Sequence, residues 1–576
     1  MDRYIRRGII GMLAGLVSGM ILELTLHVHG YGVILGLVIG IGYGLAFRPA
    51  LGAYLDSLMT AAAFGISLWV GFSVLLLPLL AGGTPMWSAE GMRSHFSELV
   101  GWVLYGATLG TLAQALNDLA TRWLGAEKQP RGTEPVEKTR ILVLGGGFAG
   151  VATVENLENM LGADPSVEIT LVSDTNAMLF TPMLAEVAGS SLEPTHISSP
   201  LRTSFRRTRV IRGQVTQINL KSRSITLAYD YTPKHGPKSV TLPGPVTGQT
   251  LEYNHLVLAL GSVPNYMGMR DVQELAFGFK TLQDAIRIRN HIIDTFERAD
   301  RHPDRAQREE MLTFVVAGGG FAGVEIAGAL NDFARGILAD YPGLEQADLK
   351  IILVQSSGRI LPELSEPLAN YAQQKMEARG VTFMLNTRIA NASPGKILLS
   401  SKEEIPARTL IWTAGTVPNP LLGTLDVEVD QRGAVIVENT LAVPEFPGLW
   451  AVGDCAAVID AHTGEFCPPT AQYASREARI LARNLYSSLH SKPPQPFHFD
   501  SLGALCVVGH HTACAEMAIP FLRGKSVRFS GLLAWLMWRG IYLAMLPGLD
   551  RKIRVMVDWA VELFFPRDIV QTIEIN

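Results

Sequence analysis

The chain has 576 residues, with 49 Lys and Arg against 53 Asp and Glu, and a net charge of −4. That length accommodates two or three domains, and the near-balanced charge excludes the basic footprint of a nucleic-acid-binding protein. A mean hydropathy of +0.21 is high for an enzyme wholly in water, and the apolar excess sits at the front of the chain.

Four apolar stretches come first: Gly8–Leu26, Tyr31–Phe47, Met59–Leu80 and Ser97–Leu116. Each is roughly long enough to cross a bilayer as a helix, the second being short and glycine-rich. Arg3, Arg6 and Arg7 precede the first, and Arg48 lies between the second and third. Arg122, Lys128 and Arg131 follow the fourth, which leaves only Arg93 for the other loops. The positive-inside rule then puts both ends of this segment in the cytoplasm. The expectation is a multi-pass protein of the cell membrane, with the domains that follow on the cytoplasmic side. A secretory signal would be a single short run with a small-residue cleavage site, which four runs are not. Gly11, Gly15 and Gly19, and then Gly32, Gly36, Gly40 and Gly44, recur at every fourth residue, the spacing that lets helices approach closely in lipid. Glu23, inside the first stretch, is an ionisable group at membrane depth or one that snorkels at the span's end.

Glu127–Thr139 is polar, charged and carries two prolines, so it reads as a linker. From Arg140 apolar strands alternate with helix-length stretches, the mark of parallel α/β domains. The first strand runs into Gly145, Gly147 and Gly150, with Phe148 and Ala149 between the last two. This Gly-x-Gly-x-x-Gly, in strand–turn–helix context, lets the backbone approach a pyrophosphate held on the helix N-terminus. The next strand, EITLVSD, ends at Asp174, an acid placed to accept hydrogen bonds from ribose hydroxyls.

A second loop repeats the pattern with Gly318, Gly320 and Gly323. Two such loops imply two bound nucleotides, and so electron transfer between a nicotinamide and a flavin. Here the following strand ends at Gln355 instead of an acid. Glutamine hydrogen-bonds a ribose without repelling a 2′-phosphate, and Ser356, Ser357 and Arg359 stand nearby, so both NADH and NADPH stay open as donors. Two further segments echo each other, LVLALGSVPN from Leu256 and LIWTAGTVPN from Leu410, with Gly261 and Gly415 at their turns. The cysteines are Cys455, Cys467, Cys506 and Cys514, with no Cys-x-x-Cys, so no metal site is expected.

The segment GLWAVGDCAA adds an apolar strand before Gly453-Asp454. Together with LFTPMLAEVAG from Leu179, FGFKTLQDAIRIRNHI from Phe277, PPTAQYASREA from Pro468 and the tail WRGIYLAMLPGLDRKIRVMVDWAVELFFPRDI, it carries a resemblance. From Arg140 to Asn576 the chain resembles the two-dinucleotide-binding-domain flavoproteins, most closely the type II NADH:quinone oxidoreductases. The fold this implies is α/β, with two Rossmann-like domains, for FAD and for NAD(P)H, behind an all-α transmembrane segment of about four helices. The expected divisions are 1–126 transmembrane, 127–139 linker, 140–275 and 426–500 FAD-binding, 276–425 NAD(P)H-binding, and 501–576 membrane-associating.

The resemblance also implies roles. The Gly453-Asp454 pair closes the FAD site, and Glu325 is the carboxylate near flavin and nicotinamide that exchanges protons. Lys280, Thr181 and Pro182 line the flavin pocket, and Val215, Gly261 and Gly415 complete the cofactor contacts. Lys280 and Gln472 join Glu325 as catalytic candidates. Ala471-Gln472-Tyr473-Ala474 resembles the start of the family's quinone motif, whose last Gln is Arg476 here. Trp538 and Tyr542 are then quinone-side residues of an interfacial tail that also carries Trp535, Trp559, Arg551, Lys552 and Arg554. The implied reaction passes electrons from NADH or NADPH through FAD to a membrane quinone without proton pumping. Lipid and a second copy of the chain are the implied partners. The glycine stripes are then packing seams, a dimer interface or a quinone passage. Alternatives are a sulfide:quinone oxidoreductase, although no cysteine precedes Cys455, a flavin-bearing redox sensor, and a separate transport or docking module in the four spans.

Overall fold

A computed structural model describes residues 3–26, 31–46, 54–80, 82, 96–124, 138–229, 246–519 and 525–571. Linker residues 127–137, and Arg48, Arg93, Lys128 and Arg131 of the charge pattern, lie outside these. The chain divides into two units, Met1–Glu134 and Pro135–Asn576.

In the N-terminal unit helices Arg3–Leu26 and Tyr31–Ala46 run antiparallel and meet glycine on glycine. A Cβ on Gly11 would stand 2.2 Å from the Gly40 carbonyl oxygen, and one on Gly15 2.3 Å from that of Gly36. The stripes are therefore a packing seam within the bundle. A second seam joins helices Tyr54–Trp69 and Phe96–Leu124, where a Cβ on Gly106 would lie 2.0 Å from the Ala61 carbonyl oxygen. The third helix continues through a π-helical turn, Val70–Leu76, into Leu77–Leu80. Pro78 explains the widening, since it lacks an N–H and its ring clashes with the carbonyl four residues back. Buried polar groups are paired: Ser57 Oγ donates to Gln114 Oε1 at 2.9 Å and Trp102 Nε1 to Ser73 Oγ at 3.0 Å.

Three stretches, Arg6–Thr25, Ser57–Val74 and Phe96–Ala120, are long and apolar enough to cross a membrane. The second helix, at 16 residues, rises only about 24 Å at 1.5 Å per residue, short of the ~30 Å hydrocarbon core. Gly36→Val is expected to part the first two helices, because its Cβ would lie 2.5 Å from Gly19 Cα. Disulfide cross-linking between cysteines introduced on the two helices, lost in the variant and kept in the parent, checks this.

The second unit is built on two parallel five-stranded sheets. The first has the spatial order Leu449–Ala451, His255–Leu258, Thr139–Leu144, Val167–Ser173, Arg209–Arg212. The second runs Phe277–Gly278, Thr409–Trp412, Thr313–Ala317, Lys350–Val354, Val381–Met384. Each central strand is a continuous apolar run because helices cover both faces of a parallel sheet. Ile141–Leu144 and Thr313–Ala317 are accordingly buried throughout. Each sheet carries a three-stranded antiparallel meander: Gln214–Asn219, Ser224–Tyr229 and Val246–Glu252, and then Ile389–Ser393, Lys396–Leu399 and Glu404–Pro406.

The two Val-Pro-Asn echoes pair with each other. Ser262–Pro264 runs antiparallel to Thr416–Pro418, with Val263 opposite Val417. Asn265 N–H donates to the Gly415 carbonyl at 3.0 Å, and Asn419 N–H to that of Gly261 at 3.1 Å. The tail forms an antiparallel sheet, Gly503–Gly509, Thr512–Ala518 and Ser526–Gly531, and then helices Leu532–Met545 and Leu549–Glu562.

Candidate active site

The glycines of each loop do different work. Gly145 has φ +114°, and a Cβ there would lie 2.0 Å from the Ala259 carbonyl oxygen. A Cβ on Gly150 would lie 1.9 Å from the Gly145 carbonyl oxygen, so these two fix the tight turn and the helix–strand contact. Gly147 faces open space, and it caps helix Phe148–Leu161 without a side-chain hydrogen bond. The first N–H groups of that helix are thus left for an anion. The second loop repeats this. Gly318 has φ +107°, a Cβ on Gly323 would lie 1.8 Å from the Gly318 carbonyl oxygen, and Gly320 caps helix Phe321–Ile337 with no side-chain bond. Two cradles shaped for pyrophosphate therefore fit two dinucleotides.

Asp174 stands exposed just past the end of its strand. Gln355 is tied into the second loop: its Oε1 accepts from Gly319 N at 2.8 Å, and its Nε2 donates to Ser357 Oγ at 2.7 Å. Arg359 donates to the Pro362 and Leu364 carbonyls at 2.9 and 3.0 Å. Thr181 and Pro182 form a 3₁₀ turn, and half-buried Val215 packs on the core of the first sheet. Ala149 is buried at the start of the first loop's helix.

Lys280 joins the pairing ribbon to the Gly-Asp turn. Its Nζ donates to Ser262 Oγ at 2.6 Å and approaches Asp454 Oδ2 at 3.2 Å, while Ser262 Oγ donates to the same oxygen at 2.5 Å. Gly453, at φ +75°, gives its N–H to Glu477 Oε2 at 2.9 Å. Glu477 is only 3 % exposed, and burial pushes its carboxyl up to about 7, Asp454 adding to the rise. Ala471 and Gln472 open helix Ala471–Leu489, where Gln472 Oε1 accepts from Ser501 Oγ at 3.2 Å. Asp454, Glu477 and Cys467 line one cleft of about 110 Å³.

A file of rings leads from the first loop to the tail: Phe148 to Phe180 at 5.6 Å, Phe180 to Tyr542 at 6.1 Å, Tyr542 to Trp538 at 4.8 Å. Beside it lies Glu325, on the helix of the second loop, accepting from Val507 N at 3.4 Å. Burial pushes its carboxyl up to about 8, against the Val507 N–H and the nearby Trp538 indole, with Glu186 adding to the rise. The Trp538 Nε1 is buried and has no hydrogen-bond partner of good geometry. Glu325 and Trp538 share one cleft. Predicted residues thus meet in two groups, Glu325–Trp538–Tyr542–Phe148 and Lys280–Asp454, and no contact links Gln472 to the first group among the described residues.

The sequence reading missed the charges around Glu325. Glu186 accepts from Trp559 Nε1 at 3.2 Å and lies 3.8 Å from Arg539 Nη2. Arg539 bonds Glu562 at 2.7 Å between the rings of Trp535 and Trp559, and Arg567 bonds Glu562 at 3.0 Å. One signal was available: Glu186 is the single acid in the apolar helix Leu184–Ala188. No cluster of His, Cys, Asp and Glu among the described residues could hold a metal. The cysteines form no disulfide.

Residues 139–478 match the pyridine nucleotide-disulphide oxidoreductase family, and 502–568 match the NDH2 C-terminal domain. A probable NADH dehydrogenase of Dictyostelium discoideum is 32% identical over 77% of this chain and 93% of its own length. A type II NADH:quinone oxidoreductase of Mycobacterium tuberculosis is 28% identical over 76% of this chain and 91% of its own length. The NDH2 structure from Plasmodium falciparum in complex with NADH shares the fold at a TM-score of 0.67, with 18% identity over 75% of this chain and all of that one.

Proposed function

The chain belongs to the type II NADH dehydrogenase family, and on that premise we propose roles for its two sheets, its tail and its N-terminal helices. It is a membrane-associated, non-proton-pumping NADH:quinone oxidoreductase. FAD, when bound, supplies a carrier that takes two electrons from NADH and passes them to quinone. The protein supplies position, electrostatics and protons.

In this reading the first sheet (140–275 and 426–500) binds FAD, the second (276–425) binds NADH, and 501–576 meets the membrane. The helix N-termini behind Gly147 and Gly320 hold the two pyrophosphates, and Asp174 and Gln355 hold the riboses. Lys280 and Asp454, joined through Ser262, fix the angle between the pairing ribbon and the Gly-Asp turn. The rings of Phe180, Tyr542 and Trp538 exclude water and give quinone an apolar shelf, with the buried Trp538 N–H beside Glu325. Gln472 is a second quinone contact. Glu325 holds a proton at neutral pH and can release it to the reduced acceptor. The observation that carries this reading is that Glu325, on the nucleotide-loop helix, opens into the same cleft as Trp538 of the tail.

The tail rests on lipid: Leu532, Leu536, Phe564 and Phe565 are 56%, 53%, 81% and 64% exposed, as aromatic and aliphatic groups at a bilayer interface would be. The four N-terminal helices cross the membrane and keep both ends cytoplasmic, and two copies associate through their C-terminal surfaces.

Steady-state oxidation of NADH and NADPH by FAD-loaded protein, with a soluble quinone as acceptor, tests the reading. Fast quinone-dependent turnover with NADH is expected, and flavin reduction without quinone turnover overturns it. Gln355→Glu is expected to lower kcat/KM for NADPH by about tenfold or more relative to NADH, since a carboxylate repels the 2′-phosphate by roughly 1.4 kcal/mol or more. An unchanged ratio would remove Gln355 from the ribose site.

A further inference from the structure

NADH delivers a hydride, two electrons and one proton, whereas quinone becomes quinol by taking two electrons and two protons. Each turnover therefore draws one further proton from water, and Glu325 must be recharged from outside. The cleft that reaches Glu325 also exposes Glu186 along its wall and solvent-exposed His510 among its lining residues.

The cluster lining and bordering this cleft does not balance its charges. Arg567 pairs with Glu562, Arg379 pairs with Asp332, and Arg539 is shared between Glu562 at 2.7 Å and Glu186 at 3.8 Å. Three guanidiniums thus face four carboxyls once Glu325 is counted, and Glu325 has no guanidinium of its own among these pairs. Near-neutrality in so enclosed a place requires one of the four to be protonated. The Tyr542 phenol and the Cys506 thiol also face Glu325, and burial raises both, so they stay protonated and do not compete. The remaining carboxyl with the weakest pairing is Glu186, whose side chain is 12% exposed.

We propose that Glu186 is a positioning residue for the known reaction, an inner proton relay that shares one exchangeable proton with Glu325 and recharges it from water through the cleft at His510. The assignment rests on the NADH:quinone oxidoreductase reading. Burial pushes the Glu186 carboxyl up to about 7, against Arg539, with Glu562 adding to the rise and with the Trp559 N–H and Arg567 also opposing it, while Glu325 is pushed up to about 8, so both carboxyls exchange a proton near neutrality.

The test uses full-length, FAD-loaded protein and separates the two half-reactions. In Glu186→Gln the reduction of flavin by NADH should keep its rate. Quinone reduction should fall about tenfold per pH unit above neutrality, as proton supply becomes limiting, with a larger solvent deuterium isotope effect. Glu186→Asp should recover part of the rate. In His510→Gln, added imidazole should restore the alkaline rate. Equal slowing of both half-reactions in Glu186→Gln, or an unaltered pH profile, overturns the relay. Should that variant lose its flavin, Glu186→Asp and the imidazole rescue decide, and absence of rescue counts against the proposal.

A readout independent of quinone is the infrared carboxylic-acid band followed through a pH titration. Removing Glu186 should lower the midpoint of the remaining Glu325 band, because a neighbouring negative charge is gone. An unmoved midpoint overturns the sharing of a proton. Parent enzyme that reduces no quinone, yet shows the shifted midpoint, sinks the functional reading and leaves the coupling intact.

Discussion

Glu325→Gln is expected to lower quinone-dependent turnover by about 10²–10⁴, the usual cost of removing a positioned proton donor, while making the fold more stable at alkaline pH. The second half follows from burial. The folded carboxyl titrates at about 8, against an ordinary value of 4.5. Between those two values the unfolded chain has released its proton and the folded chain still holds it. Stability of the parent therefore falls as pH rises through that window and levels off above it. Glutamine has no proton to lose, so the variant matches the parent near pH 4 and gains through the window, on the order of a few kcal/mol above pH 8. The Val507 N–H and the open side of the cleft keep the gain below the full shift. Denaturation midpoints at pH 5 and pH 9 check it. A variant no more stable than the parent at pH 9 would show that Glu325 ionises freely in the fold.

The last two glycine positions of the first loop should fail in different ways. Gly150→Val places a Cβ 1.9 Å from the Gly145 carbonyl oxygen, so strand and helix must separate and the first sheet loses its packing. Lower thermal stability and absent flavin are expected together. Gly147→Glu meets no protein atom within 4 Å and needs no unusual φ, Gly147 being at −84°. That chain should fold with its melting midpoint little changed and still emerge without flavin, because the new carboxylate fills the space, and repels the charge, of a pyrophosphate. NADH oxidation should disappear in both. Flavin absorbance per polypeptide, set beside the melting curve, separates the cases, and a yellow, active Gly147→Glu protein would mean that the phosphates sit elsewhere.

Much of this architecture was legible in the residues because its signals are local. A glycine loop declares itself within a dozen positions, and both loops stand where strand, turn and helix were expected. The tail's aromatic helices and the apolar N-terminal runs are likewise readable from a short window. The shortness of the second apolar run was readable too, and its helix has 16 residues. The charges around Glu325 were not legible. Trp559 and Glu186 are 373 positions apart and Arg567 reaches the Gly189 carbonyl across 378, so no short window holds both members of either pair. An arginine in an amphipathic tail reads as a lipid-facing cation until the fold turns it inward. Gln472 shows the converse, since its motif was readable while its partner, Ser501, came only with the fold.

The ribbon of Ser262–Pro264 against Thr416–Pro418 makes the segment between them, with the second sheet, a cassette. Its entry and exit lie side by side, held by Asn265 N–H on the Gly415 carbonyl and Asn419 N–H on that of Gly261. A segment whose ends are neighbours can be lifted out, closed with a short loop, or replaced by another of the same outline without stretching the host. Such a joint offers evolution, and the protein engineer, a place to exchange the whole segment, provided that the replacement brings its own carboxyl where Glu325 stands beside Trp538.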